Sequence, residues 1–262
     1  MIARAAAAIL LAASAPAGAA LSQDELAVAV ARPPAAARLP GDLTFTDVAG
    51  RRATLGAIAA GRPLVLLFAD YTCAHMCAPG LALTANALAR SGLAAGRDYR
   101  VAVIGLDPKD GAGAARAMTA GMLADPAVRR VTTVLLGDVR ATAAAARALG
   151  YGYAYDAGSD QFAHDASVYV FAADGRLSAT LPELGLMPAT VKAALAGAVQ
   201  ADAAQAGAAE RPGLADRVAH LCYGFAAAHG RYGRPIVIGL QASSALLLLG
   251  FGAFLLRRWR GA

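Results

Sequence analysis

The stretch Pro63–Pro79, PLVLLFADYTCAHMCAP, constrains the fold of this chain more than any other. Five consecutive apolar residues, Leu64–Phe68, run into a short polar break, and two cysteines follow in a CxxxC arrangement, Cys73 and Cys77. A short continuous apolar run bounded by turn residues predicts a buried strand. The Ala- and Leu-rich residues after Pro79 predict a helix. The cysteines therefore fall where a core strand hands over to a helix N-terminus, whose unpaired N–H groups and dipole favour a thiolate. If the first turn is helical, positions i and i+4 share a face, so both sulfurs can meet one metal ion or each other. A packed, inert thiol is the competing reading for either cysteine, and CxxxC spacing by itself fits redox or metal chemistry.

The rest of the chain supplies alternating strands and helices. Gly41–Gly61 predicts a small hairpin ahead of the core strand. Tyr99–Leu106, Val131–Leu136 and Ser167–Phe171 predict three further strands. Helices are expected over Gly113–Leu123, over Val139–Leu149 with Asp138 as N-cap and Gly150 as stop, and over Pro188–Val199. Asp174-Gly175 is a hairpin turn signal. This order predicts an α/β layer fold.

The flanks read as targeting and topology. Residues 1–20 carry one Arg, an apolar stretch and small residues at the end, the pattern of a secretory signal peptide cleaved near Ala19 or Ala20. Residues 21–40, with Pro33, Pro34 and Pro40, predict a linker, and 41–200 the folded domain. Residues 201–234 predict a second linker and a juxtamembrane segment. Residues 235–257 hold an uncharged stretch of about 20 residues, enough for a transmembrane helix, and 258–262 a cytoplasmic tail. The expected location is a bacterial inner membrane, single-pass, with the main domain in the periplasm. That is an oxidising compartment, where a cysteine pair needs reduction or a metal to stay functional. The net charge of +6 belongs to the ends: without Arg4, Arg257, Arg258 and Arg260, 20 basic residues face 18 acidic ones. A near-neutral body argues against nucleic-acid binding.

His164 lies in QFAHDASVYVFAADGR, just before the last predicted strand. In a thioredoxin-like sheet the residues before that strand lie beside the end of the first core strand, next to the cysteine loop. Cys73, Cys77 and His164 then form a compact soft donor set, in which thiolates favour Cu(I) and imidazole keeps Cu(II) accessible. His75 and Met76, inside the cysteine loop, are expected to face solvent. Cys222, with His220 and His229, falls near the expected membrane span, and packing is the expected role of Cys222.

In combination, LFADYTCAHMC, VAVIGLDPKD and FAHDASVYVFAADGR resemble the Sco/SenC family of membrane-tethered, thioredoxin-like copper proteins. The resemblance spans roughly Gly41–Val199, and the later CYGFAAAHGRYG resembles a longer bacterial subgroup. It implies a thioredoxin-like central sheet flanked by helices, with Cys73, Cys77 and His164 as metal ligands. It also implies delivery of copper to, or reduction of cysteines in, the CuA centre of cytochrome c oxidase subunit II or another cuproprotein. This chain departs from the pattern at Ala74 and Ala78, where many members have Pro, and at Ala163, where Asp is frequent. The alternative function is a thiol–disulfide oxidoreductase with Cys73 and Cys77 as its redox pair.

Overall fold

The computed structural model describes residues 21–73, 77–200 and 241–249. The chain divides into two units, Met1–Tyr223 and Gly224–Ala262.

The first unit opens with a short helix, α1 (Gln23–Val28), started by a capping box in which Ser22 and Glu25 satisfy each other's backbone N–H groups. Strands β1 (Thr44–Thr46) and β2 (Arg52–Thr54) pair antiparallel as the expected hairpin, and a one-turn helix, α2 (Leu55–Ala59), follows on a Thr54 cap. Then comes β3 (Leu64–Ala69), buried at every position. Helix α3 (Cys77–Ala89) starts at Cys77 itself. Next are β4 (Arg100–Gly105), α4 (Ala112–Met122), α5 (Pro126–Val131) and β5 (Thr132–Leu135). Helix α6 (Val139–Ala148) begins on Asp138, whose carboxylate accepts from the N–H groups of Arg140 and Ala141. Strands β6 (Tyr153–Asp156) and β7 (Gln161–His164) form a second hairpin. Strands β8 (Ser167–Phe171) and β9 (Leu177–Pro182) pair antiparallel around the Asp174-Gly175 turn, where Gly175 has φ 85°. Helix α7 (Pro188–Gln200) closes the unit.

The central sheet has five strands in the order β5-β4-β3-β8-β9. β3 pairs parallel with β4 and antiparallel with β8. Alternate β3 residues serve two cores. Val65, Leu67 and Ala69 pack with Leu81, Ala85 and Leu88 of α3 and Leu195 of α7. Leu64, Leu66 and Phe68 pack with Leu55 of α2, Ala145 of α6, Leu149, Tyr151 and Tyr169. A strand covered on both faces reads as an unbroken apolar run, which is why LVLLFA is legible. Each large side chain so buried contributes roughly 1.5–3 kcal/mol.

Two expectations are corrected. Residues 21–40, expected to be a linker, dock on the domain: Ala29 is fully buried, Arg32 N–H donates to the Gly150 carbonyl at 2.7 Å, and Leu39 N–H donates to Gly175 at 2.7 Å. The fold class holds as an α/β layer fold, but its C-terminal transmembrane helix does not. Among the described residues no helix is long and apolar enough to cross a membrane. Of the expected span 235–257, the described part, residues 241–249, is helical. The remainder of that span, the expected signal peptide 1–20, and residues 201–234 and 258–262 lie outside the described residues.

Candidate metal centre

The site forms where the C-terminal end of β3 meets the end of β7. Asp70, completely buried, terminates β3 and holds both sides together. Its Oδ1 accepts from the N–H and hydroxyl of Thr72, both at 3.1 Å, and its Oδ2 accepts from Phe162 N–H on β7 at 2.9 Å. Tyr71 N–H donates to Asp110 at 2.8 Å and Cys73 N–H to the Asp70 carbonyl at 3.1 Å. These bonds set the turn that presents Cys73, which is half-buried.

Cys77, at the first position of α3, is 3% exposed. His164 ends β7, where it pairs with Tyr153 of β6, and is fully buried. The fold brings them together across 87 residues: Cys77 Sγ lies 3.1 Å from His164 Nε2. The other ring nitrogen, Nδ1, lies 2.6 Å from the Tyr151 hydroxyl and 3.0 Å from the Asp165 carbonyl. Burial works to lower the His164 pKa. The charge and hydrogen bond of Cys77, with help from the Asp165 backbone and Glu183, prevail and push it up to about 10. His164 is therefore held protonated beside Cys77, and the sulfur sits at the α3 N-terminus, where negative charge is favoured.

Glu183 is a further ionisable group of the neighbourhood, 3% exposed and directly after β9. Its carboxyl lies against the first turn of α3, where a Cβ on Gly80 would collide with Oε2. Burial raises its pKa to about 8, against the opposing pull of His164, with Asp165 and Cys73 adding to the rise.

Of the three predicted ligands, Cys77 and His164 are in contact, and Cys73 ends the described part of the loop. Among the described residues, no group of three His, Cys, Asp or Glu side chains is arranged to hold a metal ion. His75 and Met76 lie outside the described residues, as do Cys222, His220 and His229. Sequence reasoning missed Asp70, Tyr151 and Glu183. Asp70 carried a faint signal, an acidic residue between an apolar run and the first cysteine.

Residues 31–200 match the family model described as SCO1/SenC. The chain belongs to the SCO1/SenC family. Its fold agrees with solved structures at low sequence identity. A SCO1/SenC family lipoprotein from Bacillus anthracis is 17% identical with a TM-score of 0.52, over 61% of this chain and 95% of that one. ScoI from Arabidopsis thaliana, solved with copper bound, is 16% identical with a TM-score of 0.51, over 62% and 98% of the two chains. Yeast Sco1, also solved with copper bound, is 16% identical with a TM-score of 0.50, over 63% and 90%. At this identity the likeness establishes the thioredoxin-like fold of this SCO1/SenC chain. No curated protein matches the chain significantly.

Proposed function

We propose that this SCO1/SenC protein is a copper metallochaperone. Copper is its cargo, held by Cys73, Cys77 and His164 and passed by ligand exchange to thiolates of an acceptor cuproprotein. The observation that carries the reading is the 3.1 Å approach of Cys77 Sγ to His164 Nε2 in a buried setting. Two donors each about 2 Å from one ion stand on the order of 3–4 Å apart, so the pair fits a shared soft metal without rearrangement of the sheet. Cys73 is the more exposed thiol and the one an acceptor thiolate meets first. Copper-bound relatives support the same cargo. The proposed setting is the periplasm, with the CuA centre of cytochrome c oxidase subunit II, or another cuproprotein, as acceptor.

The test is an anaerobic Cu(II) titration of the reduced chain beside His164→Ala. Loss of an outer-shell partner costs roughly 10–100-fold in metal affinity, so loss of a ligand is expected to cost more than about 100-fold. One-to-one binding with a sulfur-to-copper charge-transfer band, lost in the variant, is the expected result. Binding indifferent to His164 overturns the ligand set.

The unequal exposure of the two thiols favours a second reading, thiol–disulfide exchange. The Cys73 thiolate attacks a partner disulfide, forming a mixed disulfide and releasing one partner thiolate. The Cys77 thiolate then attacks the Cys73 sulfur and expels the second, leaving a Cys73–Cys77 disulfide while the partner is reduced. Exchange that persists in His164→Ala while copper binding is lost separates the two activities.

A further inference from the structure

Tyr151 follows the Gly150 stop of α6 and is 4% exposed. Its ring stacks on Phe68 with centroids 4.1 Å apart and planes 18° apart, and meets Tyr169 edge-on at 6.1 Å. A phenylalanine would satisfy that packing equally well, so the hydroxyl calls for a separate reason. A buried hydroxyl costs free energy unless it is hydrogen-bonded. This one donates to the Asp165 carbonyl at 2.8 Å, and its oxygen lies 2.6 Å from His164 Nδ1. A phenol carries one proton. With that proton committed to the carbonyl, the oxygen accepts from the Nδ1–H of His164. The carbonyl, 3.0 Å from Nδ1, is the more distant of the two acceptors facing that nitrogen. Nδ1 therefore keeps its proton, and Nε2, facing Cys77, is the nitrogen whose lone pair is released when the ring is neutral.

We propose that Tyr151 is a positioning residue for His164: its hydroxyl, held by the Asp165 carbonyl, fixes the ring so that Nε2 faces Cys77. This gives the metal centre an outer shell built from β6–β7 flanking residues rather than from a carboxylate. It deepens the copper reading above, and one arm of its test is independent of that reading.

The experiment uses the reduced, 15N-labelled full chain and Tyr151→Phe. Without copper, the wild type is expected to show a downfield, slowly exchanging His164 Nδ1–H resonance, which broadens into solvent exchange in Tyr151→Phe. With Cu(II), the variant is expected to bind roughly 10–100-fold more weakly, as for loss of other outer-shell partners, while still unfolding in one cooperative transition. Absence of the resonance in the wild type overturns the inference, as does its unchanged persistence in the variant or a copper affinity within twofold of wild type. If the wild type takes up no copper, the metallochaperone reading fails and the resonance alone decides the role of Tyr151.

Discussion

Asp70 is the side chain on which the geometry of the centre turns, although it is not among the predicted ligands. It is buried and accepts three hydrogen bonds, two from the cysteine side at Thr72 and one from the histidine side at Phe162. Replacing it by alanine removes the shared acceptor of these three part-buried hydrogen bonds, each contributing about 0.5–1.5 kcal/mol net. Asp70→Ala is therefore expected to lose about 2–4 kcal/mol of stability and to weaken copper binding with Cys73, Cys77 and His164 intact. Denaturant unfolding and a copper titration on the same variant check both effects. Lost stability with unaltered affinity would restrict Asp70 to holding the fold. The contrast with the proposed ligands shows what is legible at this scale. Cysteine and histidine declare themselves by residue type and by place relative to predicted strands. Asp70, Tyr151 and Glu183 act through partners that only the topology supplies; the Asp70–Phe162 bond spans 92 residues.

Among the elements, those that satisfy a strong local rule were legible. β3, β4 and β8 are apolar runs, α6 carries an Asp cap and a Gly stop, and the β8–β9 turn has its Asp-Gly. The one-turn helices α2 and α5 were missed because five or six residues give no helical period to read. The β6–β7 hairpin was missed because its strands are four residues each and its four-residue connection, residues 157–160, offers no two-residue turn signal. Residues 21–40 were misread because prolines mark extended backbone whether it is free or docked. Here the extended stretch is held: Leu177 N–H donates to the Ala37 carbonyl at 3.0 Å, and Ala31 N–H to Asp165 Oδ2 at 2.9 Å. The groove that receives it requires glycine. A Cβ at Gly152 would run into the Val28 carbonyl, and one at Gly150 into that of Arg32. These neighbours are backbone and yield only if the segment lifts. Gly152→Ala is therefore expected to cost about 1–3 kcal/mol and to open residues 28–40 to limited proteolysis. Protection equal to wild type would show that the segment stays seated by other contacts.

The whole molecule bears the electrostatic cost of this site, because Asp70, His164, Asp165 and Glu183 are all buried at one end of the sheet. The sign of the resulting pH dependence follows from Glu183. Its ordinary value is 4.5 and burial lifts it to about 8 in the folded chain. The folded state thus holds a proton that the unfolded state gives up once the pH exceeds 4.5. Its stability contribution is complete below pH 4.5, declines between about 4.5 and 8, and is gone above that. His164, raised from 6.5 to about 10, declines in the same direction but begins later. Between pH 5 and 6.5 Glu183 therefore loses its stability contribution ahead of His164, and Asp110, whose pKa burial also raises, declines in the same direction in wild type and variant alike. Glu183→Gln keeps the shape of the carboxyl against Gly80 and removes its titration. The wild type is expected to lose stability from pH 5 to pH 8, and the variant to lose distinctly less, with the gap between them opening before pH 6.5. Denaturant unfolding of both proteins at pH 5, 6.5 and 8 measures this. Parallel curves would mean that Glu183 ionises in the folded state as readily as in water, and that its place against the first turn of α3 is stabilised by the helix N-terminus strongly enough to offset its burial.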